Sequence, residues 1–142
     1  MRRTVNTNKI HQLIIAIGTN VDHELNITLI KRALLILLPD IIFTSEKWTN
    51  STENESVKYM NCMAMATTRH GAKQIIRAFK QIERKCGDTK GKRSKGIITA
   101  DIDLLKFDND IYHEEDWQHD YIKSFIRELN GIKRSIQTES DL

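Results

Sequence analysis

"TADIDLLKF", residues 99–107, sets two aspartates inside an otherwise apolar run. Side chains alternate along a β-strand, so Asp101 and Asp103 share one face, about 6.5–7 Å apart. Ala100, Ile102 and Leu104 share the other, which suits burial beneath helices. The carboxylates then look out from the uncovered side of a sheet. The same alternation puts Leu105 and Phe107 on the aspartates' side, which is more apolar than a plain solvated face needs. Two carboxylates this close raise each other's pKa unless a cation stands between them. Hard oxygen ligands of this kind favour Mg2+ or Mn2+. Taken alone, the pair also fits the wet face of an ordinary antiparallel sheet.

The segments upstream set the kind of sheet this strand joins. "QLIIAI" (12–17) is a continuous β-branched run, as expected of a central buried strand. A turn at Gly18-Thr19-Asn20 stops it. Leu25, Leu29, Ile30, Ala33, Leu34 and Leu37 then recur at helical spacing until Pro39. "DIIFTSEKW" (40–48) predicts a second strand and "TNSTENES" (49–56) a polar loop. "KYMNCMAMATT" (58–68) predicts a third strand, with Tyr59, Asn61, Met63 and Met65 on one face and Met60, Cys62, Ala64 and Ala66 on the other. After Gly71, a second helix buries Ala72, Ile75, Ile76, Phe79 and Ile82. A last helix is expected over 114–129. Strand, helix, strand, strand, helix, strand is the split βαβ order. It predicts an α+β fold, a ferredoxin-like antiparallel sheet with helices packed on one face and the other face open to a ligand.

The totals suit one domain over 1–142, with 1–10 and 131–142 as flexible tails. The chain is 39% hydrophobic and 29% charged, with a formal net charge of +3. So mild a charge demands no nucleic acid. Cys62 and Cys86 form no ligand pattern and read as reduced thiols. No secretory h-region is visible, and "ALLILLPDII" is too short to span a bilayer. A cytoplasmic protein without a membrane partner is expected, as a monomer or weak homodimer.

Positive charge is concentrated just before the aspartate strand. "RKCGDTKGKRSK" (84–95) holds Arg84, Lys85, Lys90, Lys92, Arg93 and Lys95 against one acid, Asp88. Its glycines predict a flexible loop. Cations on such a loop can close over a polyphosphate, although a solvated charge run has the same composition. The spacing is not that of a Walker loop. Asn61, mid-strand among apolar residues, needs a partner and could read the edge of a heterocycle. Glu83, at a helix end, and His119, in "WQHDY", are individually ordinary surface or structural residues. No second ligand pair accompanies His119 as a zinc site would require.

Together these stretches resemble one family. "IIAIGTNV" resembles its opening strand and Gly-Ser-Asn turn, "YMNCMAMATT" its Tyr/Phe-x-Asn strand, "IERKCG" its Ile-Glu before a Gly-Arg, and "ADIDLLKFDND" its Leu-Asp-Leu-Asp signature. The family is 6-hydroxymethyl-7,8-dihydropterin pyrophosphokinase of folate biosynthesis, and the resemblance covers about residues 12–127. It implies the ferredoxin-like plan, small-molecule substrates, and transfer of pyrophosphate from ATP to the pterin hydroxymethyl group with release of AMP. It implies catalysis by Asp101, Asp103 and Lys90, with both aspartates holding two Mg2+ ions. Lys80, Lys92, Arg93 and His119 would bind ATP. Asn61, Tyr59 and Phe125 would bind the pterin, Phe125 by stacking, with Glu83 supporting. Residues 84–95 would be a mobile catalytic loop.

The chain departs from the pattern in the same places. Lys95-Gly96-Ile97-Ile98 stands for Trp-Gly-Pro-Arg, so Ile98 replaces an arginine. Asp88 and Lys90 stand for arginines, Gln118-His119 for Pro-His, and Thr49-Asn50 for Thr-Pro. The C-terminal part is shorter. The departure at Ile98 keeps open an alternative, a non-catalytic relative that binds nucleotide or pterin as a regulatory module. An RNA-binding sheet is disfavoured, because acids occupy the fourth strand and Tyr59 is the only aromatic on the third.

Overall fold

The computed structural model describes residues 9–51 and 56–140. Strands β1 (His11–Thr19), β2 (Ile42–Phe43), β3 (Lys47–Asn50), β4 (Lys58–Thr68), β5 (Asp101–Phe107) and β6 (Asp110–Ile111) form one sheet. Its order is β2-β4-β1-β5-β6, with β3 also on β4, and every pairing is antiparallel. Helix α1 (His23–Leu37) connects β1 to β2, and α2 (Ala72–Lys85) and the short α3 (Lys90–Ser94) connect β4 to β5. A 3₁₀ turn (Glu114–Gln118) leads into α4 (Asp120–Ser140). The fold is α+β. Most of the tail expected over 1–10, and part of the loop expected over 49–56, lie outside the described residues.

The two crossover helices share one sheet face. Leu13, Ile15 and Ile17 of β1, Cys62 and Ala64 of β4, and Ile102 and Leu104 of β5 pack there against Ile30, Leu34, Ile75 and Phe79. The alternation expected for β4 holds, since Met63 and Met65 belong to the opposite face. That face is not wholly open, because α4 lays Ile122, Phe125 and Leu129 against Met63 and Leu105. Helix α4 continues past Gly131 to Ser140, beyond the end expected for the last element. In α1 the buried stripe is Asn26, Ile27, Ile30 and Leu34, while Leu25 and Leu29 face outward.

Two irregularities depart from simple alternation. Leu13 pairs with Phe107 and Ile14 with Lys106, but Ile15 pairs with Leu104, so Leu105 is an extra residue. Such a bulge reverses the facing of the residues after it. Leu105 joins the α4 side, whereas Phe107 returns to the crossover-helix side, not the aspartates' face. The second strand expected over 40–48 is likewise broken into β2 and β3. The chain from Phe43 to Lys47 is one residue longer than the β4 segment it faces, Ala64 to Asn61. At the break Thr44 Oγ1 accepts from Met63 N (2.9 Å), and Ser45 N donates to Glu128 of α4 (2.6 Å).

Candidate active site

Register alone brings the candidate residues into rows. On the face away from α1 and α2, Asp101 pairs with Gly18, Gly18 with Asn61, and Asn61 with Lys47. One row along, Asp103 pairs with Ala16 and Ala16 with Met63. The central strand thus offers only Gly18 and Ala16 between two carboxylates and an amide. Small side chains in mid-sheet leave a hollow, and a cavity of about 860 Å³ opens above it. Gly18 and Thr19, expected in a turn, are the last residues of β1, and Gly18 is part of this floor.

Three segments wall the cavity. The stretch around the end of α3 contributes Arg93, Lys95 and Ile98; β3 and β4 contribute Thr49 and Tyr59; the 3₁₀ turn and α4 contribute Asp116, His119 and Tyr121. The β1 end fastens the first of these in place. Asn20 N donates to Ile98 O (2.9 Å), Ile98 N donates to Asn20 Oδ1 (2.8 Å), and Asn20 Nδ2 donates to Gly96 O (2.8 Å).

The carboxylates are unequal. Asp103 has 21% of its side chain exposed and Asp101 37%. Burial first, then the neighbouring Asp101 charge, pushes the Asp103 carboxyl up to about 7. His113 Nε2 lies 3.8 Å from Asp103 Oδ1. Glu83 is buried in α2, where Oε2 accepts the Ile102 N–H (2.8 Å) and Oε1 lies 3.3 Å from Lys80 Nζ. Burial raises the Glu83 pKa, partly offset by the Ile102 hydrogen bond. It therefore fixes the aspartate strand from behind.

Asp101, Asp103, Asn61, Tyr59, Arg93 and His119 meet at the cavity. Asn61 Nδ2 donates to Thr49 Oγ1 (2.6 Å), which answers the pairing its position requires. His119 lies 4.0 Å from Asp116 and stacks on Tyr121, with ring centres 5.5 Å apart. Lys80 reaches a second hollow of about 250 Å³ with Ile76, Phe79, Leu104, Tyr112 and His113. Asp103 borders both hollows.

Three candidates are placed elsewhere. Phe125 is 1% exposed and packed in the α4 core, with the Lys47 ammonium 5.3 Å from its ring centre. It does not wall the cavity; Tyr121, one helical turn earlier, does. Lys92 turns back to donate to Gly87 O (2.8 Å), and Lys90 is exposed at the start of α3. The stretch expected as a flexible loop contains this helix, N-capped by Thr89 Oγ1, which accepts from Lys92 N at 3.1 Å. Sequence reasoning missed Tyr121, Thr49, Asn20 and Asp116. The aromatic that ends "WQHDY" was a visible signal for Tyr121, and the Gly-Thr-Asn turn was one for Asn20.

One comparison with known families covers most of the chain. Residues 14–131 match the family model of 7,8-dihydro-6-hydroxymethylpterin-pyrophosphokinase. The chain belongs to this family. The activity that names this family is pterin pyrophosphokinase chemistry. None of the curated proteins matches the chain in sequence. Among solved structures, the Bacillus subtilis YXEP protein, a dinuclear metal binding peptidase from the M20 family, overlaps at 12% identity and a TM-score of 0.31. The overlap covers 72% of this chain and 26% of that one, so the chain spans about a quarter of that protein's length. Among the described residues no helix is long and apolar enough to cross a membrane.

Proposed function

We propose that this chain transfers the β,γ-pyrophosphate of ATP to the hydroxymethyl oxygen of 6-hydroxymethyl-7,8-dihydropterin and releases AMP. The observation that carries the reading is the shared hollow. Asp101 and Asp103 face the same cavity as the Asn61 amide, across the small residues Gly18 and Ala16.

The donor set suits magnesium. Burial, then the Asp101 charge, pushes the half-buried Asp103 carboxyl up to about 7, and a divalent cation would relieve the repulsion between the two. No group of three or more His, Cys, Asp or Glu gathers among the described residues. Two carboxylates completed by phosphate oxygens and water are what Mg2+ commonly uses. Asp101 and Asp103 would hold two magnesium ions, which when bound supply charge neutralisation for the phosphates and acidify the attacking hydroxyl.

The protein's own groups do the positioning, which dominates phosphoryl-transfer catalysis. Asn61 offers an amide to the pterin edge, Tyr59 lines its pocket, and Tyr121 supplies the aromatic wall that the buried Phe125 cannot. The second hollow, apolar apart from Lys80, His113 and Asp103, suits the nucleoside. A triphosphate running from it past Asp103 meets Arg93, Lys95 and His119. The hydroxymethyl oxygen bonds to the β-phosphorus, the bond between that phosphorus and the α,β-bridging oxygen breaks, and the hydroxyl proton leaves to water.

AMP release from ATP tests this. It is expected only with both hydroxymethyl-dihydropterin and Mg2+ present, and it should vanish in Asp101→Ala. Full activity in that variant, or ATP turnover without pterin, would overturn the reading. Ile98 favours a second reading, a relative that binds these ligands without turnover. Calorimetric binding of ATP and pterin with no AMP formed would establish it.

A further inference from the structure

We infer that Arg93 is the guanidinium that grips the polyphosphate and that Asp88, a residue outside the cavity, is the positioning residue that aims it. The inference rests on the pyrophosphokinase reading and deepens it. The wall position just before the aspartate strand, Ile98, carries no charge, and Asn20 clamps its backbone through both N–H and C=O. A cation for the phosphates must therefore enter from another element. Of the cations in 90–95, only Arg93 and Lys95 wall the cavity.

Arg93 is held along one side. Its Nε donates to Asp88 Oδ2 (2.5 Å) and its Nη2 to Ala100 O (2.9 Å), with Asp101 Oδ1 3.4 Å and Glu83 Oε2 3.9 Å away. Nη1 has no protein partner among the described residues, and 34% of the side chain is exposed. A guanidinium fastened through Nε and Nη2 holds its remaining Nη1 donors in a fixed direction, and a planar, pre-aimed guanidinium suits phosphate recognition. Less of its freedom remains to be lost on binding.

Asp88 supplies the fastening. Only 7% of its side chain is exposed. Oδ2 takes the Arg93 Nε–H, Oδ1 takes the Thr99 N–H (3.2 Å), and the Asp88 N–H donates to Glu83 O (3.0 Å). One buried acid thus joins the end of α2, the α3 arginine and the run into Asp101. A carboxylate so buried needs a charged partner, and Arg93 is that partner. The pair is reciprocal: Arg93 stabilises the buried acid and the acid fixes the direction of the guanidinium.

Calorimetry on the full chain tests this, with Mg2+ plus α,β-methylene-ATP in one series and 6-hydroxymethylpterin in another. Arg93→Met should weaken nucleotide binding about tenfold or more, as loss of a charge-assisted hydrogen bond does. Arg93→Lys, which keeps the charge but not the planar guanidinium, should weaken it too. Asp88→Asn keeps an acceptor for Thr99 N but turns an N–H towards Arg93 Nε, and it touches no ligand; at temperatures where the variant stays folded it should lower nucleotide affinity while leaving pterin affinity near wild type. Adding Ile98→Arg to Arg93→Met should restore binding from the same cavity wall. Nucleotide affinity within about twofold of wild type in both Arg93 variants would overturn the inference. So would folded Asp88→Asn losing nucleotide and pterin affinity to the same extent. A wild-type chain that binds pterin but no nucleotide would overturn the pyrophosphokinase reading itself, and this inference with it.

Discussion

A Cβ on Gly18 of β1 would lie 2.9 Å from the Asn61 Oδ1 on the neighbouring strand β4. So close an approach forces one of the two to move, and the amide is the softer, held by Thr49 Oγ1 at 2.6 Å. Gly18→Ala should therefore cost the fold about 1–3 kcal/mol, because moving the amide aside breaks its hydrogen bond to Thr49. It should also turn the Asn61 amide away from the cavity and weaken pterin binding about tenfold. Thermal melting and calorimetry check the two halves. Unchanged pterin affinity would remove Asn61 from the binding site.

Asp103 should cost the metal-free fold stability at neutral pH. Its folded pKa, raised to about 7 by burial and then by Asp101, exceeds the ordinary 3.8. The folded state then keeps a proton that the unfolded chain has released. The group's contribution is fully present below about pH 4 and is lost as pH rises towards 7. Asp103→Asn should raise the melting temperature of the metal-free protein, with a gain that grows from pH 4 to pH 7 and then levels. AMP formation should fall at least about a hundredfold, on the scale of a lost preorganised group. A pH-independent change in melting would show that the carboxyl is not strained.

Magnesium should act on the same proton. Metal ligands bind deprotonated, so occupancy of the aspartate pair displaces the Asp103 proton near neutrality. Added MgCl2 should raise the melting temperature more at pH 8 than at pH 5.5, and Asp101→Ala should abolish the difference. Equal shifts at both pH values would place the ion elsewhere.

The parts of the fold legible in the sequence were those governed by periodicity. The alternation in 58–68 separated Asn61 and Met63 from Cys62 and Ala64 correctly, and the α2 stripe held from Ile75 to Ile82. Where one residue is inserted, period two fails: Leu105 sends Phe107 to the other face, and the extra residue before Lys47 splits a strand. Both bulges are fixed by long-range pairing, which no local pattern records. The Asp101, Asp103 and Asn61 positions were legible because their strands set them. The cations were not, because composition cannot distinguish Arg93, turned inward by Asp88, from Lys92, turned back onto Gly87.

Glu83 should behave as a structural carboxylate. It is buried, and the Ile102 N–H points at its Oε2 from 2.8 Å. Glu83→Ala leaves that donor unpaired inside the protein, at a cost of about 1–3 kcal/mol. Glu83→Gln keeps an oxygen acceptor and should cost less. Urea unfolding of the two variants gives the comparison. If Gln and Ala cost the same, the charge interaction with Lys80 matters more than the hydrogen bond to β5.

Phe125 and Tyr121 separate core from site on one helix. Phe125 is 1% exposed among Met63, Leu105, Ile122 and Leu129, and Tyr121 meets its ring edge-on at 6.3 Å while also walling the cavity. Phe125→Ala should remove about 3–5 kcal/mol of stability, the usual cost of emptying a packed aromatic position. Ligand affinity at temperatures where the variant stays folded should change little. Tyr121→Ala should show the opposite balance, a smaller loss of stability with pterin affinity down about tenfold. Tyr121→Phe, which keeps the ring, should retain most of that affinity. If Phe125→Ala instead lost pterin affinity while melting as wild type does, the stacking role belongs to Phe125, and α4 must shift to expose it when ligand binds.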